Sequence, residues 1–288
     1  ALVLSVPLAF FAGIGAGSKK GILFKGGVSL EAMKNVKAVV MDKTGTITKG
    51  DFSVQKAIPA AGVSEAQLLA VAAACEKNST HPIGVSILAA AERAGLDVEN
   101  PQAVEELAGK GVCVQLKAGQ ALCGNRKLME AHKIDLSQYK NEDYGTEALA
   151  ALNGKFIGCL LINDTLKEDA ASAISQIKSQ GIAAVMLTGD AEQSAQAVAR
   201  QAGVGEVHAQ LLPEEKLEHL QQIRGRHGSV MFVGDGINDA PVLAGADVGA
   251  AMGSGADAAI EAADVVFMTS AMEAVPQSLA IARSTNRI

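Results

Sequence analysis

Ala38-Val39-Val40-Met41-Asp42-Lys43-Thr44-Gly45-Thr46-Ile47-Thr48 is the stretch that decides the fold. Its apolar first part predicts a buried strand, and the Gly/Thr-rich segment after Asp42 predicts a tight turn. An acid released from a strand end into such a turn is a candidate nucleophile, because the turn's N–H groups and hydroxyls can hold phosphate oxygens. Further along, the chain after residue 168 alternates helix and strand. Helices are expected up to 180 and over 192–202, 213–224 and 239–244. Strands are expected over 182–187, 207–209, 229–233, 248–250 and 265–267. Such alternation predicts a mostly parallel sheet covered by helices on both faces, and ligands of these sheets bind at the carboxyl ends of strands. Asp42, Thr188-Gly189-Asp190 and Gly234-Asp235 all fall at strand ends, so three separate segments converge on one edge.

The 288 residues are enough for two ordinary domains. Apolar residues make up 49% but aromatics only 3%, with no Trp, which suits close-packed α/β layers rather than a β-sandwich. A net charge of −6 argues against a nucleic-acid partner. Cys75, Cys113, Cys123 and Cys159 form no Cys-x-x-Cys pair and sit in apolar surroundings, as buried thiols of a reducing compartment do. Residues 1–17 carry no charge. As a helix they would reach ~26 Å, short of the ~20 residues of a full membrane span. Lys19, Lys20 and Lys25 follow at once, as the positive-inside rule expects of a cytoplasmic exit. We therefore expect the cytoplasmic end of a cut-off transmembrane helix, with a buried soluble helix as the alternative. Residues 28–37 read as a short amphipathic helix leading to the strand.

Between residues 51 and 160 the strand–helix rhythm stops. Ser64 is placed to cap a helix over 64–74, and His81-Pro82 opens another that ends at Gly95. Short strands are expected over 112–116, 121–124, 149–152 and 156–162, the last two joined at Asn153-Gly154, a strong hairpin signal. The segment is an inserted α+β domain with an antiparallel sheet.

The run from Asp42 to Thr48 resembles the phosphorylation loop of P-type ATPases, whose Asp takes the γ-phosphoryl of ATP. Gly234-Asp235-Gly236-Ile237-Asn238-Asp239-Ala240-Pro241 resembles the hinge motif of the same family. Glu76, His81-Pro82, Gly109-x-Gly111 and Gly124-Asn125 resemble the nucleotide-binding domain of its heavy-metal subgroup. The resemblance implies a haloacid-dehalogenase-like phosphorylation domain (26–50 with 161–277) and a nucleotide-binding domain (51–160). It also implies truncated membrane-helix ends at both termini (1–25 and 278–288). It assigns catalytic positions to Asp42, Lys43, Thr44, Thr188 and Lys216. ATP contacts fall to Glu76, His81, Gly109, Gly111, Gly124, Asn125, Gly189, Asp190 and Asn238. Mg²⁺ falls to Asp42, the Thr44 carbonyl, Asp235 and Asp239. Asp190 and Asp239 are alternatively helix N-caps, Arg126 a surface residue rather than a phosphate ligand, and Lys216 a solvated helix Lys. Asp164 sits in the second of two hinge strands, the first lying near Lys49.

In phosphatases of the wider fold family the residue two after the nucleophile is usually an acid; here it is Thr44, which favours a lasting aspartyl-phosphate over rapid hydrolysis. The implied protein is a membrane-bound exporter of a heavy metal, with this chain on its cytoplasmic side. Zinc or cadmium is favoured over copper on the likeness of residues 8–15. The chain alone is expected to bind nucleotide and accept phosphate but not to transport.

Overall fold

The computed structural model describes residues 2–137, 139–140 and 145–285. Two compact units emerge, residues 1–50 with 166–288 and residues 51–165. The first unit opens with α1 (Leu2–Ser18), β1 (Ile22–Phe24), α2 (Gly27–Met33) and β2 (Ala38–Asp42), and β3 (Thr48–Pro59) carries the chain into the second. There follow α3 (Glu65–Cys75), α4 (Pro82–Arg93), β4 (Ala103–Leu107), β5 (Gly111–Leu116), β6 (Gly119–Gly124), α5 (Arg126–Ala131), β7 (Thr146–Leu152) and β8 (Lys155–Leu166). Back in the first unit come α6 (Ala170–Ser179), β9 (Ala183–Leu187), α7 (Glu192–Ala202), β10 (Glu206–His208), α8 (Pro213–His227) and β11 (Val230–Gly234). The chain closes with α9 (Ala240–Gly245), β12 (Val248–Met252), α10 (Asp257–Ala262), β13 (Val265–Phe267) and α11 (Ala274–Thr285).

The first unit's sheet has the order β1-β13-β12-β11-β2-β9-β10, parallel throughout except for β1 at one edge. The continuous apolar run of β2 has a direct cause. Val39 and Met41 enter a core with Met186, Met231 and Val233, while Ala38 and Val40 enter another with Val185, Leu187 and Phe232. A strand buried on both faces has no polar side, so its pattern does not alternate. Asp42 pairs in register with Leu187, and β11 runs parallel beside β2 on the other side, which brings three strand ends to one edge.

The second unit is a sheet of order β3-β8-β7-β6-β5-β4, with antiparallel pairing from β4 through β8. Asn153 and Gly154 take φ of 51° and 76°, the left-handed pair that a two-residue hairpin turn demands. All four cysteines lie in this unit as free, buried thiols.

The α/β class with an inserted α+β unit is as expected, and the differences are local. β3 is a twelve-residue strand that runs well beyond the first hinge expected near Lys49, and β8 runs on to Leu166, past residue 160. β1, β4, α5 and α10 are additional elements. α11 begins at Ala274 and buries Val275, Leu279 and Ala282 in the first unit's core. Among the described residues no helix is long and apolar enough to cross a membrane.

Candidate functional site

Asp42 ends β2 with 7% of its surface exposed. Lys216 lies in the first turns of α8, whose start is held by the Leu212 N–H donating to Glu215 Oε2 at 2.7 Å. From there Lys216 Nζ donates to Asp42 Oδ1 at 2.6 Å and to Asp239 Oδ1 at 2.9 Å. Asp239 Oδ2 accepts the Gly236 N–H at 3.2 Å. Asp239 stands at the N-cap position of α9 but makes no side-chain cap bond, so its carboxylate holds Lys216 rather than the helix. Asp235 joins them: carboxylate oxygens of Asp42, Asp235 and Asp239 all lie within 4.8 Å of one another. Gly45, at φ 72°, makes room for this, since a Cβ there would fall 1.6 Å from Asp235 Oδ2.

Three carboxylates and one ammonium leave this pocket short of positive charge. Burial, then Asp239, pushes Asp42 up to about 7, against the pull of Lys216. Burial and Asp239 raise Asp235 as well, opposed by Lys167 and Lys216. Burial works to lower Lys216, but its two carboxylate partners outweigh it and hold the ammonium above its usual range. An all-oxygen donor set with excess negative charge fits a hard divalent cation such as Mg²⁺. Thr46 Oγ1 is also buried with no hydrogen-bond partner among the described residues, a hydroxyl left available in the same loop.

The second loop of the site is built by interactions that differ from those expected. Lys43 is buried, and its Nζ pairs with Asp190 Oδ2 at 2.7 Å. The Asp190 N–H donates to Thr188 Oγ1 at 3.2 Å, and the buried Thr188 N–H donates to the His208 carbonyl at 3.0 Å. The N-cap of α7 is Ala191, so Asp190 is not a helix cap; it orients Lys43. Lys167, which the motifs do not single out, donates from Nζ to the Gly45 carbonyl at 2.7 Å and the Ser270 carbonyl at 2.8 Å, anchoring the glycine turn. Thr44, Gly189 and Asn238 are exposed at the same edge.

The second unit holds a cleft of about 690 Å³ lined by all six expected residues: Glu76, His81, Gly109, Gly111, Gly124 and Asn125. Glu76 ends α3, buried, and that burial raises its carboxyl against a hydrogen bond from Ser79. His81 caps α4 through Nδ1, which accepts the Ile83 N–H at 3.3 Å, so Nε2 carries the proton. The glycines divide into two kinds. Gly109 has φ 68° and nothing within 4 Å of where a Cβ would be, so this cleft-lining position is uncrowded. Gly111 and Gly124 face each other across β5 and β6, where a Cβ would fall 2.3 Å from the Cys123 carbonyl and 2.2 Å from the Lys110 carbonyl. Their smallness serves strand packing beneath the cleft. Asn125 caps α5 by accepting the Leu128 N–H and donates from Nδ2 to the Gly109 carbonyl at 2.8 Å, which fixes the open loop. Arg126 is held by both Glu147 oxygens at 3.0 and 3.1 Å and lies 5.5 Å over the Tyr139 ring, a structural surface residue.

A haloacid dehalogenase-like hydrolase family model matches residues 36–247. The chain is 44% identical, over its full length, to a cadmium, zinc and cobalt-transporting ATPase of Bacillus subtilis and 46% identical to a zinc-transporting ATPase of Synechocystis, covering 41% and 40% of those proteins. It is 38% identical to a probable copper-exporting P-type ATPase V of Mycobacterium tuberculosis, covering 38% of it. Among solved structures, a zinc-transporting PIB-type ATPase in its E2.Pi state matches 99% of the chain at 35% identity with a TM-score of 0.90, over 47% of that protein. The chain thus spans about two fifths of the length of the curated relatives it matches.

Proposed function

The chain belongs to the haloacid dehalogenase-like hydrolase family, and from its full-length likeness to heavy-metal P-type ATPases we propose that it is the ATP-binding and phosphorylation module of such a pump. The observation that carries this is the buried Lys216 ammonium bridging Asp42 and Asp239 at the carboxyl edge of the parallel sheet. Nucleotide binds in the cleft of the second unit, its base against Glu76 and His81 and its phosphates following the open Gly109 loop. An Asp42 oxygen attacks the γ-phosphorus, the bond to the β,γ-bridging oxygen breaks, and ADP leaves with that electron pair. Lys216 and the Thr188 hydroxyl meet the equatorial oxygens as charge develops. Asp190 keeps Lys43 oriented beside them, and Lys167 keeps the Gly45 turn in place. A Mg²⁺ ion held by Asp42, Asp235 and the Thr44 carbonyl, with Asp239 completing the carboxylate cluster, would neutralise phosphoryl charge.

Thr44 offers no carboxylate to activate water, so the aspartyl-phosphate persists and can drive conformational work in the whole protein. Zinc or cadmium is the cargo we favour over copper, because two relatives named for zinc or cadmium, at 44% and 46% identity, stand above the copper exporter at 38%. The module works on the cytoplasmic face of a membrane.

Incubation with γ-labelled ATP and Mg²⁺ tests the assignment. The expected product is an acid-stable, hydroxylamine-sensitive label that Asp42→Asn abolishes; label undiminished in that variant overturns it. Fast turnover of small phosphate esters would instead favour a phosphatase.

A further inference from the structure

Three of the chain's five histidines gather in the first unit around one carboxylate. His208, at the end of β10, places Nε2 2.7 Å from Glu206 Oε1. Its other nitrogen, Nδ1, lies 3.1 Å from Nδ1 of His219 on α8. His227 reaches the second Glu206 oxygen at 3.3 Å, and Arg226 also pairs with Glu206 at 2.5 Å. Burial works to raise Glu206, but hydrogen bonds from His208, Arg226 and His227 outweigh it and hold the carboxyl below its usual range.

An ionised carboxylate only accepts, so His208 Nε2 carries a proton toward Glu206, and the other ring nitrogen, Nδ1, faces His219 Nδ1. A carboxylate that accepts from one ring nitrogen of a histidine, and so orients the other, is the arrangement found behind metal-ligating imidazoles. The separation also fits: ligands at ~2.0–2.1 Å from a tetrahedral ion lie roughly 3.3–3.4 Å apart. The ring planes stand 63° apart with centroids 4.9 Å apart, and the two Nδ1 atoms are the nitrogens that meet. Both residues are partly exposed, which leaves a path for an ion and room for water ligands.

We propose that His208 and His219 chelate a borderline divalent transition-metal ion of the Zn²⁺ class, with Glu206 orienting His208 and water completing the shell. Imidazole nitrogens select such ions over Mg²⁺, so this site is chemically distinct from the carboxylate cluster. Binding replaces the proton shared between the two Nδ1 atoms and leaves His219 as the neutral Nε2–H tautomer: the displaced proton moves to Nε2 when that nitrogen is bare and to solvent when Nε2 already carries one, and nothing is oxidised or reduced. The location links two parts of the candidate catalytic site. His219 follows Lys216 by three residues on α8, and the His208 carbonyl holds the Thr188 N–H. An ion there ties the helix that carries Lys216 to the strand end that positions Thr188, an effector position for a metal. Binding is independent of the phosphoryl-transfer assignment; only the effector role rests on it.

The test is Zn²⁺ titration of the full chain by calorimetry in excess Mg²⁺, with Co²⁺ absorption to report ligand type. One ion per chain is expected, with affinity reduced at least about ten-fold by His208→Ala or His219→Ala and about ten-fold by Glu206→Gln. His132→Ala should change nothing, and the Co²⁺ spectrum should lack a thiolate charge-transfer band. A second measurement needs no variant: Zn²⁺ should protect His208 and His219 of the unaltered protein from diethylpyrocarbonate, read by mass spectrometry. Zn²⁺ affinity indifferent to both histidine substitutions, a thiolate Co²⁺ spectrum, or absence of protection overturns the proposal.

Discussion

Asp42, Lys216 and Asp239 are 7%, 9% and 2% exposed and are tied by two ion pairs, whereas His81, Gly109 and Asn125 line a cleft and stay at least partly exposed. The first region is specified by charge balance among buried side chains. The second is specified by backbone shape, with Glu76 its one buried acid among the six expected residues. The difference teaches how each site fails: removing a charge strands its partners, while adding a methyl group obstructs a strand or a loop.

The sharpest separation of the two regions is Asp42→Asn, which should abolish phosphoenzyme while leaving nucleotide affinity, measured by calorimetry, unchanged. A parallel loss of binding would mean the two regions are not independent. Next in size is Lys216→Ala. It leaves two buried carboxylates without their cation and should cost about 3–5 kcal/mol in urea unfolding without Mg²⁺, part of which Mg²⁺ restores. A cost near that of an exposed pair, below about 1 kcal/mol, would break the charge-balance account.

Glycine substitutions probe the other side. Gly111→Ala drives a methyl group into the Cys123 carbonyl and should destabilise the protein by about 1–3 kcal/mol. Gly109→Ala meets open space and should cost about 1–2 kcal/mol for its left-handed φ alone, yet weaken nucleotide binding more. Equal effects on binding would remove the distinction between packing and cleft glycines. pH gives a smaller signal. Asp42 is raised from 3.8 to about 7, so its contribution to stability is complete below the lower value and is lost as pH rises through the upper one. Thermal unfolding in Mg²⁺-free buffer should therefore fall by a few degrees between about pH 4 and 7, and Mg²⁺ should flatten that slope. Smallest is Asn125→Ala, about 1 kcal/mol for a lost helix cap, with looser nucleotide binding because the Gly109 carbonyl loses its donor.

Much of the first unit was legible because its strands are buried on both faces. Continuous apolar runs ending in Asp42, Thr188 and Gly234 announce strand ends directly. β4 has four of five residues exposed and β3 is polar along most of its outer length, so neither offers an apolar pattern to read. Lys167 is not legible in the sequence because it acts by holding carbonyls at Gly45 and Ser270, partners more than a hundred residues away. The position of Asp190 before α7 predicts a helix cap, but the buried Lys43 takes its carboxylate. A local hydrogen bond yields to a charge pair inside the protein, where an unpaired ammonium is costly. Gly111 and Gly124 were legible as special, but not for which reason, since only β-register shows that they face each other.

The sequence by itself determined the candidate chemistry. An acid at the end of an apolar strand, a second acidic loop after another, and an insertion between them require residue identity and order alone. The tertiary structure decided the division of labour. Which carboxylate holds Lys216, which glycine opens the cleft and which histidines meet across β10 and α8 depend on contacts between segments far apart in the chain, and burial sets the strength of each of those charges.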